Sequence, residues 1–203
     1  MRRKGAWAAG AAFAAFSGAV ALGWLYGVDL WTLQTVQEHS WGFLDAVLNI
    51  FSLLGSVEAA ELALLVMLMG LFLRGRQELA GRLLMIFVAT GIMELVMKLY
   101  LPQVPVPEGE VRTEDFAPLV AVAHTYSYPS GHMLRGVILL GAFYLLSGSR
   151  FSRVGMMLAL LGLAAGRIYP GAHWASDVVG EALLGLAGLL WAFGKEDLGW
   201  RSR

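Results

Sequence analysis

Cysteine is absent from the 203-residue sequence. Disulfides and thiol chemistry are thereby excluded, and redox usage gives no guide to compartment. Charge is scarce as well: Asp, Glu, Lys and Arg make up 15% of the residues, where soluble domains carry about 25%. The 15 basic and 15 acidic residues cancel to a formal net charge of zero, and no basic tract offers a nucleic-acid surface. Repeats and low-complexity segments are missing too, apart from an alanine and glycine bias near the start. What is present is apolar surface. Hydrophobic residues are 58% of the chain and the mean hydropathy is +0.64, a membrane composition. Seven tryptophans suit an interfacial aromatic belt or a packed core.

Six apolar runs are long enough to be read as membrane spans. The first, residues 5–26, follows Met-Arg-Arg-Lys and reads either as a signal peptide cleaved after Ala19-Val20-Ala21 or as an uncleaved span. Its length of about twenty residues favours the span. Residues 29–54 mix Trp31, Trp41, Phe43 and Phe51 with Asp29, Glu38 and Asp45, the pattern of an interfacial amphipathic segment. Further spans are expected at 57–73, 79–101, 131–146, 154–167 and 176–193. The third ends in Pro102, Pro105 and Pro107, which cannot continue a helix. Residues 1–203 thus read as one integral membrane domain: an all-α polytopic helical bundle of six transmembrane helices plus an interfacial segment, with both termini on one side.

Lysine and arginine fix the orientation. Eleven of the 15 fall on the side of the termini, and the exceptions are Lys98, Arg112, Arg135 and Arg167. The termini are therefore expected in the cytoplasm of a cell whose inner or plasma membrane holds the chain. Charges at a membrane edge point to function by default.

The exceptions cluster at polar breaks. Gly-Arg-Ile-Tyr-Pro-Gly-Ala-His-Trp-Ala-Ser-Asp, residues 166–177, holds Arg167, His173 and Asp177 between two apolar runs. His173 and Asp177 are four apart and share a helical face. A carboxylate accepting a proton from one imidazole nitrogen fixes the tautomer and makes the other nitrogen a better nucleophile. Arg167 supplies a planar fork suited to phosphate oxygens. Tyr-Pro-Ser-Gly-His, residues 128–132, adds His132 at the start of another run. Ser130 and the Gly131 amide, near a helix N-terminus, are suited to an anion.

Together the breaks resemble the type 2 phosphatidic acid phosphatase family, the membrane branch of the phosphatase and vanadium-haloperoxidase superfamily. The family pattern is K-x6-R-P, then P-S-G-H, then S-R-x5-H-x3-D. Lys98 opens the first block, Pro129-Ser130-Gly131-His132 is the second, and Arg167, His173 and Asp177 give the third. Two departures stand out. Gly166 replaces the serine, and Pro105-Val106 replaces the arginine and proline of the first block. Arg135, three residues after His132 and on its face, is the first candidate to replace that arginine, and Arg112 the second.

The resemblance implies a lipid-phosphate phosphatase acting at the extracytoplasmic face, without a metal or other cofactor. Its partners would be the bilayer and a lipid phosphate of the undecaprenyl pyrophosphate, phosphatidic acid or phosphatidylglycerol phosphate class. His173, oriented by Asp177, would attack phosphorus and His132 would serve as acid and then base. Lys98, Ser130, Gly131, Arg167 and Arg135 would bind phosphate. The alternatives are a phosphotransferase of the same family and a non-catalytic lipid-phosphate binding or transport protein. Oligomeric state is not legible.

Plainer roles accompany these. Glu94, one turn before Lys98, is placed to pair with it. Glu181 is expected in a helix–helix hydrogen bond or lining a cavity, and its place one turn past Asp177 gives support of the site from behind as the alternative. Tyr126, Tyr128, Tyr169 and Trp174 are expected as belt anchors, and His39 and His124 as ordinary outer polar residues.

Overall fold

Apolar runs bounded by Gly, Pro and Ser become helices in this chain. The computed structural model describes residues 2–38, 41–112 and 125–194, and among them eight α-helices and no strand occur. The helices are α1 (Arg2–Ala21), α2 (Tyr26–Gln37), α3 (Gly42–Leu53), α4 (Val57–Leu73), α5 (Gln77–Tyr100), α6 (Gly131–Leu146), α7 (Arg150–Ile168) and α8 (Ala175–Ala192). A single 3-10 turn lies at Glu108–Glu110. The all-α expectation holds, and the chain is a multi-pass membrane protein.

Among the described residues, α5, α7 and α8 are each long and apolar enough to cross a bilayer. The pair α1 and α2, bent by 89°, and the pair α3 and α4, bent by 45°, qualify when taken together. α6 has 16 residues; at 1.5 Å per residue it covers about 24 Å, short of the roughly 30 Å hydrocarbon core. The interfacial segment expected over 29–54 is two helices, the second of which continues through its bend into α4.

α6 is the centre of the bundle, buried on nearly all sides through Met133, Leu134, Val137, Ile138 and Leu139. α4 turns Ala60, Leu64, Met67 and Leu71 inward, a stripe at helical spacing. Its outward face carries exposed Leu62, Leu65, Val66 and Phe72, side chains suited to lipid rather than water. α1 runs along α8, where Ser17 Oγ meets Tyr128 Oη at 2.7 Å.

α3 docks on α7 through small residues. A Cβ on Gly162 would come within 2.6 Å of the Phe51 ring, and one on Gly166 within 2.7 Å of the Leu48 carbonyl oxygen. Glycines four apart permit this close approach of backbones, a packing mode favoured in membranes. The approach places Ser52 of α3 against the end of α7, where Arg167 sits.

Candidate active site

α8 begins inside the polar break at 166–177: Asp177 lies in its first turn and His173 stands two residues before it. His173 Nδ1 and Asp177 Oδ2 are 3.0 Å apart, and both residues are buried. Asp177 Oδ2 also accepts from the Trp174 amide at 3.2 Å. Asp177 Oδ1 accepts from the side-chain amide of Gln103, and Ser127 Oγ lies 2.8 Å from Gln103 Oε1 and 3.1 Å from Asp177 Oδ2. The carboxylate is held on both oxygens, and the imidazole orientation is held through it. The His173 amide donates to the Arg167 carbonyl at 3.1 Å and closes the intervening loop. Gly171 in that loop has φ +76°, and a Cβ there would also overlap the Glu110 carbonyl.

The proline-rich segment after α5, first in chain order, and the two polar breaks meet around this turn. The Ser130 amide donates to the Asp177 carbonyl at 3.4 Å, joining the N-terminus of α6 to α8. Ser130 is fully buried, and its Oγ has no hydrogen-bond partner among the described residues. Gln103 and the Val104 carbonyl, which accepts from Trp174 Nε1 at 2.8 Å, bring in the first break. Lys98 Nζ pairs with Glu94 Oε1 at 2.8 Å, the i,i+4 pair expected from the sequence. Gly131 is pressed against that carboxyl group so closely that a Cβ would overlap it.

Arg135 lies one turn into α6. Its Nε donates to the Gly55 carbonyl at 2.9 Å, and its Nη1 is 3.6 Å from Glu94 Oε2. Arg167, almost fully buried, donates from Nη1 to Ser52 Oγ at 2.8 Å. Arg112 donates from its amide to the Pro170 carbonyl at 2.9 Å, and its guanidinium is 3.6 Å from Asp45 Oδ2 and over the Tyr169 ring at 5.5 Å. Glu181 is fully buried, with neither carboxyl oxygen hydrogen bonded among the described residues. No group of three or more His, Asp or Glu among those residues is arranged to hold a metal ion.

Residues 79–197 match the PAP2 superfamily, more than half of the chain. The protein belongs to the PAP2 superfamily. Comparison with curated proteins finds no match. Among solved structures, a transmembrane PAP2-type phosphatidylglycerolphosphate phosphatase from Bacillus subtilis is similar at 21% identity and a TM-score of 0.67. That likeness covers 92% of this chain and 93% of that one. The matched region spans the candidate residues from Lys98 to Asp177.

One departure from the PAP2 pattern has a structural reason. Gly166 replaces the family serine because the Leu48 carbonyl occupies the space a side chain would need. Meanwhile Ser52, reaching in from α3, puts a hydroxyl on Arg167.

The belt expectation is corrected for three aromatics. Tyr128, Tyr169 and Trp174 are buried to 2% exposure or less, because each packs and hydrogen bonds inside the site's wall. Tyr128 pairs with Ser17, Tyr169 Oη accepts from the Trp41 amide at 3.1 Å, and Trp174 meets the Tyr26 ring edge-on at 5.8 Å. Burial raises the Tyr128 phenol above the ordinary tyrosine value, so it remains a neutral hydroxyl. His39 and His124 lie outside the described residues.

Sequence reading missed Gln103, Ser127, Ser52 and the capping role of Asp29. Asp29 accepts from the Ser176 amide at 2.8 Å and from Ser176 Oγ at 2.7 Å, capping α8 from a distant helix. The signals available were Asp29, a charge in the 29–54 segment, and Gln103, a polar residue between Pro102 and Pro105. Neither pattern names its partner.

Proposed function

We propose that this PAP2 protein is a lipid-phosphate phosphatase that forms a phosphohistidine at His173. The observation that carries the reading is the 3.0 Å contact of His173 Nδ1 with Asp177 Oδ2, at a helix start tied to the Ser130 amide. With Nδ1 donating its proton to the carboxylate, the lone pair for attack is on Nε2.

The steps follow from these groups. His173 Nε2 attacks phosphorus, forming the N–P bond as the P–O bond to the lipid breaks. His132, at the second position of α6, gives its proton to the departing oxygen. It then takes a proton from water, whose oxygen attacks phosphorus and breaks the N–P bond. Inorganic phosphate leaves and His173 is restored. Lys98, Arg167, Ser130 and the Gly131 amide offset the charge on the phosphoryl oxygens, with Arg135 adding positive charge beneath them. These cations stand in the role that a metal ion fills in other phosphatases.

The substrate class is a membrane lipid bearing a terminal phosphate or pyrophosphate: undecaprenyl pyrophosphate, phosphatidic acid or phosphatidylglycerol phosphate. Similarity to a phosphatidylglycerolphosphate phosphatase puts the last first in any panel. The excess of lysine and arginine toward the termini, 11 of 15, supports cytoplasmic termini and an extracytoplasmic site in the cell membrane.

The test is phosphate release from this lipid panel by purified protein in a chelator, beside His173→Ala. Release by wild type and loss in the variant are expected. Turnover that appears only with an added acceptor would mark a transferase. Lipid binding without turnover, unchanged in His173→Ala, would mark a binding protein.

A further inference from the structure

Glu94 has no place in the phosphatase pattern, yet two of the cations near the site, Lys98 and Arg135, converge on its carboxylate. Oε1 is 2.8 Å from Lys98 Nζ and Oε2 is 3.6 Å from Arg135 Nη1. The same group lies against Gly131, where α6 presents the positive end of its dipole. A lysine, an arginine and a helix N-terminus around one small anion form the donor set that a phosphate group requires. Glu94 is itself largely buried, so solvent screens these attractions weakly.

We propose that Glu94 is a resident counter-anion from which a phosphate group must take Lys98, and that it sets the affinity of the site. The proposal deepens the phosphatase reading and rests on it. Because the carboxylate and a bound phosphate share one ammonium charge and repel each other, each phosphate that binds weakens the Glu94 pair. The penalty falls on substrate and product alike, which is uniform weakening of binding and favours release of inorganic phosphate. It also falls on the phosphodiester headgroups that surround the site in a bilayer, so that abundant lipids do not fill it. Glu94 is therefore an affinity-setting residue without being a catalytic one: its target is an ammonium group, not the reacting phosphorus.

A structural role predicts the opposite sign. If Glu94 only aims Lys98 at the substrate, its removal weakens phosphate binding.

The test uses full-length protein in detergent and two probes, inorganic phosphate followed by titration calorimetry, and phosphatidylglycerol as an inhibitor of lipid-phosphate hydrolysis. Glu94→Gln keeps the size of the side chain and an oxygen for Arg135 while removing the charge. Both ligands are expected to bind more tightly to Glu94→Gln, on the order of tenfold. Should that variant fail to fold, Glu94→Gln with Arg135→Gln is compared with Arg135→Gln alone, and the same gain is expected. Unchanged or weaker binding of phosphate, where wild type binds it, overturns the Glu94 proposal and leaves the phosphatase reading intact. A wild type that neither binds phosphate nor releases it from any lipid overturns the reading itself, and the inference with it.

Discussion

Gln103 donates from its side-chain amide to Asp177 Oδ1 while His173 holds Oδ2. The aspartate that orients the candidate nucleophile is thus itself oriented, by a residue from the proline-rich segment after α5. A hydrogen bond to a charged group contributes about 1.5–3 kcal/mol, roughly ten- to hundredfold in rate if it is fully felt in the transition state. Gln103→Leu should lower kcat by an amount in that range with little change in KM, since the hydrogen bonds of Gln103 run to Asp177 and Ser127. Steady-state kinetics on the best lipid phosphate checks this, and Gln103→Asn should recover part of the loss.

Asp29 caps α8 from across the bundle, through the Ser176 amide and hydroxyl. Loss of a helix cap destabilises by about 0.5–2 kcal/mol. Asp29→Ala should therefore lower the thermal midpoint of the detergent-solubilised protein by several degrees. The midpoint should rise again toward wild type in Asp29→Asn, which keeps one acceptor.

Restoring the family serine should do harm. In Gly166→Ser the new Cβ would lie 2.7 Å from the Leu48 carbonyl oxygen, and forcing such contacts costs about 1–3 kcal/mol. The variant should unfold at lower temperature and gain no activity. A more active and equally stable Gly166→Ser would show that α3 does not sit on α7 as described.

Ser52 is the hydroxyl partner of the buried Arg167 guanidinium. Ser52→Ala removes that acceptor and lets the fork turn away from the phosphate position. The expected result is a KM raised roughly ten- to hundredfold, the ~1.5–3 kcal/mol of a charge-assisted hydrogen bond, and a smaller change in kcat.

Much of this architecture is legible in the residues before any coordinates. Apolar runs mark α1 and α4 to α8, while the residues of α2 and α3 read only as one interfacial segment, and order and spacing single out Lys98, Ser130, Gly131, His132, Arg167, His173 and Asp177 as candidates. The Glu94–Lys98 pair is legible because it is local, one turn along one helix. What stayed hidden is the long-range pairing. Asp29 finds Ser176, Gln103 finds Asp177 and Ser52 finds Arg167 across separations of 147, 74 and 115 residues. Such contacts depend on how the bundle closes, and no periodicity records them. Burial of Tyr128, Tyr169 and Trp174 escaped for the same reason, since an aromatic at a helix end has the same local pattern in a wall as in a belt.

The account depends on a phosphorus–nitrogen bond at one imidazole. Wild-type protein mixed with a lipid phosphate labelled at its terminal phosphoryl group, and quenched in alkali within one turnover, should carry the label as phosphohistidine at residue 173. His173→Ala should carry none, and His132→Ala should accumulate it because hydrolysis of the intermediate is slowed. Wild type that releases phosphate while the label never appears on residue 173, or His173→Ala that still turns over, would contradict the mechanism.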